Sequence, residues 1–416
     1  MTSSIHFYKE KANSQKKTFG IGKDLEILIY PDLKEIEAQD WHSVLQTNQL
    51  FLQFSYLQTL LESPPKNMKF YFCVAYLRKK AVWVACFQSY EFASDSIHYQ
   101  IKQEKSEHLV ENVLQNMGNL LVNLMKKKKF TVLICGQAFV SGNYGFGFSQ
   151  EISETLALKI LHQTALEIAK TQKIHAILAK DFDENQKQGF GLKKENYHAF
   201  RVDPNMVLNL DKNWITFEHY LAAMSNKYRT KAKRVYKKSA DLDCRELNYQ
   251  EIVEFEAQIY DLYEQVHARA DFKLGTLNPS YFRLLKKNMP NEFFVRGYFL
   301  NGKLLSFASY FLKKDFLEAH FVGFENETNH EYLLYPRILY DFVKLGIAAN
   351  TEKIYFGRTA LEIKSTVGAV AQDLVCYVKL PSCMLHKFIK PIFSHLKATE
   401  WAAHSPFKND FENSIS

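Results

Sequence analysis

Residues Ile354–Ala369 read IYFGRTALEIKSTVGA. The apolar run Ile354, Tyr355 and Phe356 has the length and composition of a buried strand, and Gly357 with Arg358 ends it. A charged turn follows, then Lys364 and Gly368, before the chain turns apolar again. A strand that stops and hands over to a turn and a short helix is a building block of α/β sheets, and ligands of such sheets sit at strand ends. Arg358 and Lys364 are six residues apart, so one strand end can aim two cations at one cleft. Taken alone, the stretch reads first as an ordinary strand–turn–helix with two solvated cations. Its surroundings decide.

Upstream in the same half, Cys244–Asn248 reads as a short strand. Ile252, Phe255, Ile259, Leu262 and Val266 step by three and four, the period of an amphipathic helix. EFFVRGYFLNGKLLSFASYFLK (292–313) is a hairpin with Asn301-Gly302 at its tip. Another strand spans Phe316–Phe324. A helix then places Leu334, Ile338, Phe342 and Leu345 on one face, with Pro336 in its first turn.

The first half offers the same order. Leu25–Tyr30 is a strand stopped by Pro31, and helical patterns follow at Trp41–Leu45 and Tyr56–Leu61. KFYFCVAYLRKKAVWVACFQSYEF (69–92) is a hairpin about Arg78–Lys80. Residues 106–125 carry a helical apolar period, and Lys126–Lys129 suit the negative end of its dipole. The strand Phe130–Cys135, the glycine-rich turn FVSGNYGFGF (139–148), a helix capped by Ser153 and the strand His175–Ala179 complete it. The two hairpins, and the helix-to-strand passages before His175 and Lys353, match in pattern, which reads as a structural duplication.

Composition agrees. The 416 residues exceed one typical core. With 47% hydrophobic and 24% charged residues the chain is globular rather than disordered. An aromatic share of 14% suits large cores or apolar grooves, and a net charge of +8 favours anionic partners. Cys73, Cys86, Cys135, Cys244, Cys376 and Cys383 show no C-x-x-C spacing and lie mostly in apolar runs. They read as reduced core residues of a cytosolic protein, with no zinc site and no disulfide framework. No apolar h-region marks the N-terminus and no run of about 18 apolar residues occurs, so neither a secretory signal nor a membrane span is expected.

The second half carries motifs whose order resembles a known group. NWITFEHYLAAMSNKYRTKAKRVYKKS (213–239) is similar to the entry segment of the FemAB-like branch of the GNAT acyltransferase superfamily. KLGTLNPSYFRLLKKN (273–288) resembles its G-x-L-x-x-x-F-F segment, with Tyr281 and Phe282 as the aromatic pair. YLLYPRILYDFVKLG (332–346) resembles its S-P-x-x-L helix, with Tyr335 in place of Ser. YFGRTALEIKSTVGA (355–369) resembles its strand followed by K-x-x-x-G. In the first half, WHSVL…FLQFSYLQTLLE and SGNYGFGF are also similar. The resemblance implies an α/β (α+β mixed-sheet) fold of two tandem GNAT-like acyltransferase domains. It divides the chain into a polar arm (1–24), a first domain (25–205), a second domain with the active site (206–380) and an amphipathic tail (381–416). It also implies transfer of an acyl or aminoacyl group to an amine.

Several residues are singled out for that chemistry. Lys364 and Arg358 would stabilise the oxyanion formed when an amine attacks an activated carbonyl. His267 is a candidate base, because deprotonating an ammonium needs a group titrating near neutrality. Asp271, Tyr281, Tyr335 and Arg337 are expected to bind substrate. Lys227–Lys238 holds seven cations in twelve residues, and Arg229, Lys231, Lys233 and Arg234 are expected to hold phosphates of the donor, with charge around most of the helix. Gly142 and Gly145 could cradle an anion before a helix N-terminus, although glycine there for conformation alone explains the turn as well.

The resulting expectation is an N-acyltransferase without metal or tightly bound cofactor, taking acyl-CoA or an acyl-carrier thioester as co-substrate. The acceptor is an amine of a lipid or cell-envelope precursor. The partners are an acyl donor, an amine acceptor, an acyl carrier protein and an anionic membrane at the cytoplasmic face. Aminoacyl-tRNA is the runner-up donor, and a non-catalytic scaffold derived from the duplication is the reading of a different class.

Overall fold

The computed structural model describes residues 17–20, 24–46, 49–92, 130–142, 145–187, 189–269, 275–381 and 401–408. The expected helix over 106–125, Asp271, Cys383 and most of the expected tail lie outside them.

The chain forms two compact units. Unit 1 gathers Met1–Val202, Leu274–Asn278 and Leu374–Lys397; unit 2 gathers Asp203–Lys273, Pro279–Asp373 and Ala398–Ser416. The expected boundaries at 205/206 and 380/381 differ from this chiefly in where residues 274–278 and 374–380 belong.

In unit 1, β1 (Lys17–Gly20), β2 (Leu25–Tyr30), β3 (Met68–Leu77), β4 (Lys80–Phe92) and β5 (Phe130–Cys135) lie side by side, antiparallel. Part of the expected loose arm is thus a strand, paired residue for residue with β2. The short β6 (Phe146–Phe148) pairs with β4. The helix Glu154–Gln172 then crosses over to β7 (Ala176–Asp183), which is parallel to β5. The far side of β7 is filled by residues 374–379 of β14 (Val370–Lys379), a strand from late in the chain.

Unit 2 repeats the plan. Its strands run in the order β8 (His198–Asn209, from Asp203 on), β13 (Lys353–Tyr355), β12 (Phe316–Phe324), β11 (Lys303–Leu312), β10 (Phe293–Leu300) and β9 (Asp243–Glu246). Here β12 and β13 are the parallel pair, linked through the helix Leu334–Ala348. Both hairpins close in two-residue turns with both residues left-handed: Asn301 and Gly302 at φ 50° and 81°, Arg78 and Lys79 at 50° and 69°. The twist of the strands demands that turn, and the Arg-Lys pair adopts it without glycine.

Local sequence explains the helices. Ser153 caps the helix Glu154–Gln172 by accepting from the Leu156 amide at 3.3 Å. Leu158, Leu161, Ala165 and Ile168 bury its inner face in the unit 1 core. In unit 2 the helix Leu334–Ala348 buries Leu334, Ile338, Phe342 and Val343. One expectation changes: the apolar period over 252–266 is two helices, Tyr249–Glu254 and Glu256–His267. Phe255, at φ −92° and ψ 10°, breaks the first and seats its ring on Phe299 at 5.3 Å. The described cysteines are unbridged, four of them buried. Phe407 of the expected tail packs against Trp214 and Tyr220 in unit 2. No helix among the described residues is long and apolar enough to cross a membrane.

Tyr377 of β14 is 1% exposed in the unit 1 core, with its ring edge-on to Phe182 at 5.3 Å. Tyr377→Ala is expected to cost about 3–5 kcal/mol. Amide hydrogen exchange should then accelerate in β5 and β7 well before it does in β10 and β11.

Candidate active site

The parallel strand of unit 2 is short and ends abruptly. The Val207–Tyr355 pair is its last regular one. Beyond it the Phe356 amide donates to the Met206 carbonyl at 2.8 Å, and the Met206 amide to the Gly357 carbonyl at 3.2 Å. Two residues thus face one across a bulge, and Gly357 is left-handed at φ 78°. The chain leaves the sheet through Arg358 and re-enters a helix of five residues, Leu361–Ser365. Gly368, at φ 92°, ends this passage under the Phe407 ring, where a Cβ would come within 2.4 Å.

In that helix Leu361 and Lys364, one turn apart, both face inward, while Glu362 is exposed and bonds His404 at 3.2 Å. Lys364 is 3% exposed. Its Nζ turns back along the strand and donates to the Gly357 carbonyl at 3.1 Å. Loss of water drives the ammonium's pKa down to about 7, opposed in part by the Glu318 carboxyl.

Glu318 lies on β12, in register with Phe311 of β11 on one side and Tyr355 of β13 on the other. It is 2% exposed. Burial pushes its carboxyl well above the usual range, with Lys364 pulling weakly the other way. Among the described residues Oε2 has no hydrogen-bond partner. Two residues further on, His320 meets the Tyr281 hydroxyl at 2.9 Å, inside a shell of the Phe293, Phe311 and Phe321 rings. Burial holds this imidazole neutral, with its pKa down to about 3.

The other expected site residues divide sharply. Arg358 is half-buried at the strand end, beside Gly357. Tyr281 is fully buried, and its hydroxyl serves His320 rather than an open site. Arg337 is not offered to a substrate. Its Nε bonds both oxygens of Asp341, at 3.0 and 3.1 Å, its Nη1 bonds Ser239, and its plane covers the Tyr236 ring. Tyr335 rests its ring on Phe324 at 5.8 Å, and its amide donates to Asn329. His267 ends the helix Glu256–His267 stacked on Tyr263 at 5.1 Å.

In the described part of the glycine-rich turn of unit 1 the amide and carbonyls are engaged within the protein. The Gly142 amide donates to Asp181 at 3.2 Å, and Lys180 holds the carbonyls of Gln137 and Val140 at 3.0 and 2.8 Å while pairing with Asp181. Gly145 is needed for close approach, since a Cβ there would lie 2.6 Å from the Gly136 nitrogen. A shallow cavity of about 470 Å³ in unit 1 is lined by His42, Leu45, Gln46, Gln53, Phe54 and Ser55, and includes none of the expected residues.

The basic helix Asn226–Lys238 buries Tyr228, Ala232 and Val235 and turns its cations outward. Charge therefore covers its exposed face rather than most of its circumference. Lys231, Lys233 and Arg234 are exposed, and among the described residues no carboxylate lies within ion-pair distance of them; Arg229 is bound to Asn226.

Sequence reading singled out Lys364 but not the buried Glu318 and His320. The signal was present: FLEAHFVGF puts a carboxylate and an imidazole inside an apolar strand, where ionisable groups are rare unless they have work or a partner.

No known family's profile and no curated protein matches the chain. Solved structures match its fold. One is FemX, with TM-score 0.53 at 12% identity, covering 85% of this chain and 98% of that one. Another is a tandem GNAT protein from the clavulanic acid biosynthesis pathway, with TM-score 0.51 at 9% identity, covering 86% and 99%. The fold is FemAB-like and of the GNAT type, with two tandem units.

The buried amine leaves a signature in stability. A lysine whose pKa falls on folding binds fewer protons in the folded state between pH 7 and its ordinary range. Stability therefore rises with pH across that window. Glu318, raised on folding, acts with the opposite sign above its ordinary range. Lys364→Met should remove the rise: the wild-type-minus-variant difference in urea unfolding free energy is expected to grow by roughly 3–4 kcal/mol from pH 7 to pH 10.

Proposed function

We propose that the chain is an N-acyltransferase in which an amine attacks the carbonyl of an activated acyl group directly, without a covalent enzyme intermediate. The observation that carries this reading is Lys364. It is an amine removed from water at a strand end and held on the Gly357 carbonyl, and burial drives its pKa down to about 7. An attacking ammonium must first lose a proton, and a base matched to the working pH does this best. Lys364 in its neutral form accepts that proton. It is then an ammonium in a site of low dielectric, where it stabilises the oxyanion that forms next. Arg358, at the same strand end, supplies a second cation for the donor.

The exposed cations of the helix Asn226–Lys238 fit a donor that carries phosphates, as acyl-CoA and the prosthetic arm of an acyl carrier protein do. The acceptor is read as an amine of a lipid or cell-envelope precursor. The two tandem units shared with FemX and the clavulanic-pathway protein support this reading at the level of fold.

Turnover against a panel of acyl-CoA thioesters and amines tests it. Lys364→Met should lower kcat by about 10²–10³-fold. The wild-type rate should rise with pH through about 7 and level off, and that inflection should vanish in the variant. A chain that binds thioesters but never turns them over would remove the enzymatic reading. Replacing Lys231, Lys233 and Arg234 together by Ala should raise KM for a phosphate-bearing donor roughly tenfold and flatten its salt dependence, with kcat unchanged.

A further inference from the structure

We propose that Glu318 works as a neutral carboxylic acid whose O–H is reserved for the carbonyl oxygen of the acyl donor, an assignment that rests on the acyl-transfer reading above. The geometry points there. Glu318 is 2% exposed, and among the described residues no cation lies within 4.0 Å of its oxygens. Its register neighbours are a phenylalanine and a tyrosine, Phe311 and Tyr355. A carboxylate ionised in such surroundings would have no cation in ion-pair contact and no donor at Oε2, and natural interiors avoid that. A protonated carboxyl is stable there, but its O–H is left unspent.

The other buried carboxylates show what a structural acid looks like. Asp341 receives two bonds from Arg337 and one from Tyr236, with Arg296 at 3.7 Å. Asp181 receives Lys180 and the Gly142 amide. Glu318 receives nothing at Oε2. The polar groups around it are otherwise engaged: Lys364 on the Gly357 carbonyl, His320 on the Tyr281 hydroxyl. Lys364 is the charged group whose field reaches it, and burial outweighs that field, which keeps the acid protonated.

In the reaction, Lys364 takes one proton from the acceptor ammonium. The amine lone pair then forms the C–N bond, and the carbonyl π pair moves onto oxygen. Glu318 donates a hydrogen bond to that oxygen and keeps its proton. As the tetrahedral species collapses, the C–S bond breaks and the thiolate leaves with the second nitrogen proton. The products are amide, thiol and one proton held by Lys364. A donor aimed at a developing oxyanion contributes about 10²–10³-fold in kcat.

Infrared difference spectra of the full-length chain at pH 7, wild type against Glu318→Gln, test the protonation state. The carbonyl stretch of a protonated carboxylic acid should be lost in the variant; ionised-carboxylate bands in its place would overturn the assignment. Kinetics test the role. Glu318→Gln keeps an N–H donor and should hold kcat within about tenfold, whereas Glu318→Leu should lose about 10²–10³-fold with little change in KM. Both variants should unfold in urea no earlier than wild type, since each removes a buried ionisable group. Equal kcat in the Gln and Leu variants overturns the assignment and leaves acyl transfer standing. A wild-type chain that turns over no acyl thioester overturns both.

Discussion

In each unit a left-handed residue stands at a bulge near the C-terminal end of the parallel strand, opposite its antiparallel neighbour, and the surrounding polar contacts depend on how that residue is accommodated. In unit 2 it is Gly357, at φ 78°; in unit 1 it is Asp181, at φ 62°. There the register steps from Phe182–Val375 to Ala179–Tyr377, so Lys180 and Asp181 together face Cys376. Glycine takes this conformation freely, whereas a residue with a Cβ pays about 1–3 kcal/mol. Unit 1 offsets that strain with a buried ion pair to Lys180 and a bond from the Gly142 amide. Gly357 brings no such strain at the bulge of unit 2, and the lysine there arrives from a different place, the short helix Leu361–Ser365.

The duplicated plan was legible in the sequence because it is written in periods and turns. Asn301-Gly302, the alternating runs of the hairpins and the three–four steps of the helices depend on nearest neighbours, which a single sequence displays. The affiliation of β14 was not legible. Val370–Lys379 has the composition of any buried strand, and its pairing with β7 is a contact between residues nearly two hundred positions apart. Chain order alone therefore assigns 374–379 to the second domain. The break at Phe255 was hidden for the same reason, because its cause is the Phe299 ring on another element.

The site was half legible. Lys364 stands out as a cation after a strand end, and local sequence also places Arg358 there. Whether a cation is free is another matter, set by what folds against it. Arg337 and Lys364 look alike as cations on apolar helices, yet Arg337 is enclosed by Asp341, Ser239 and Tyr236, while among the described residues Lys364 has one carbonyl and a carboxyl beyond ion-pair distance. No pattern along the chain separates a satisfied network from an unsatisfied one, since the partners of Arg337 lie at positions 236, 239 and 341. The basic helix shows the converse. Its buried stripe, Tyr228, Ala232 and Val235, can be counted from the sequence, and once it is placed inward the cations have only solvent to face.

The contrast between the units also bears on where reactivity resides. A buried polar cluster whose every donor meets an acceptor is rigid and chemically quiet, because any ligand must first break bonds worth as much as those it makes. The Lys180–Asp181 pair is of this kind: its lysine ties down two carbonyls of the glycine-rich turn, and its aspartate takes the turn's amide. At the matching strand end of unit 2 the lysine and the acid, Lys364 and Glu318, lie on separate elements, do not form an ion pair, and leave the Glu318 Oε2 without a partner among the described residues. That arrangement is costly in a folded chain, and a satisfied alternative was available, since unit 1 has it. The fold thus holds two versions of one strand end, one closed by its own bonds and one with a buried carboxyl oxygen unpaired among the described residues, and the proposed acyl transfer draws on the second.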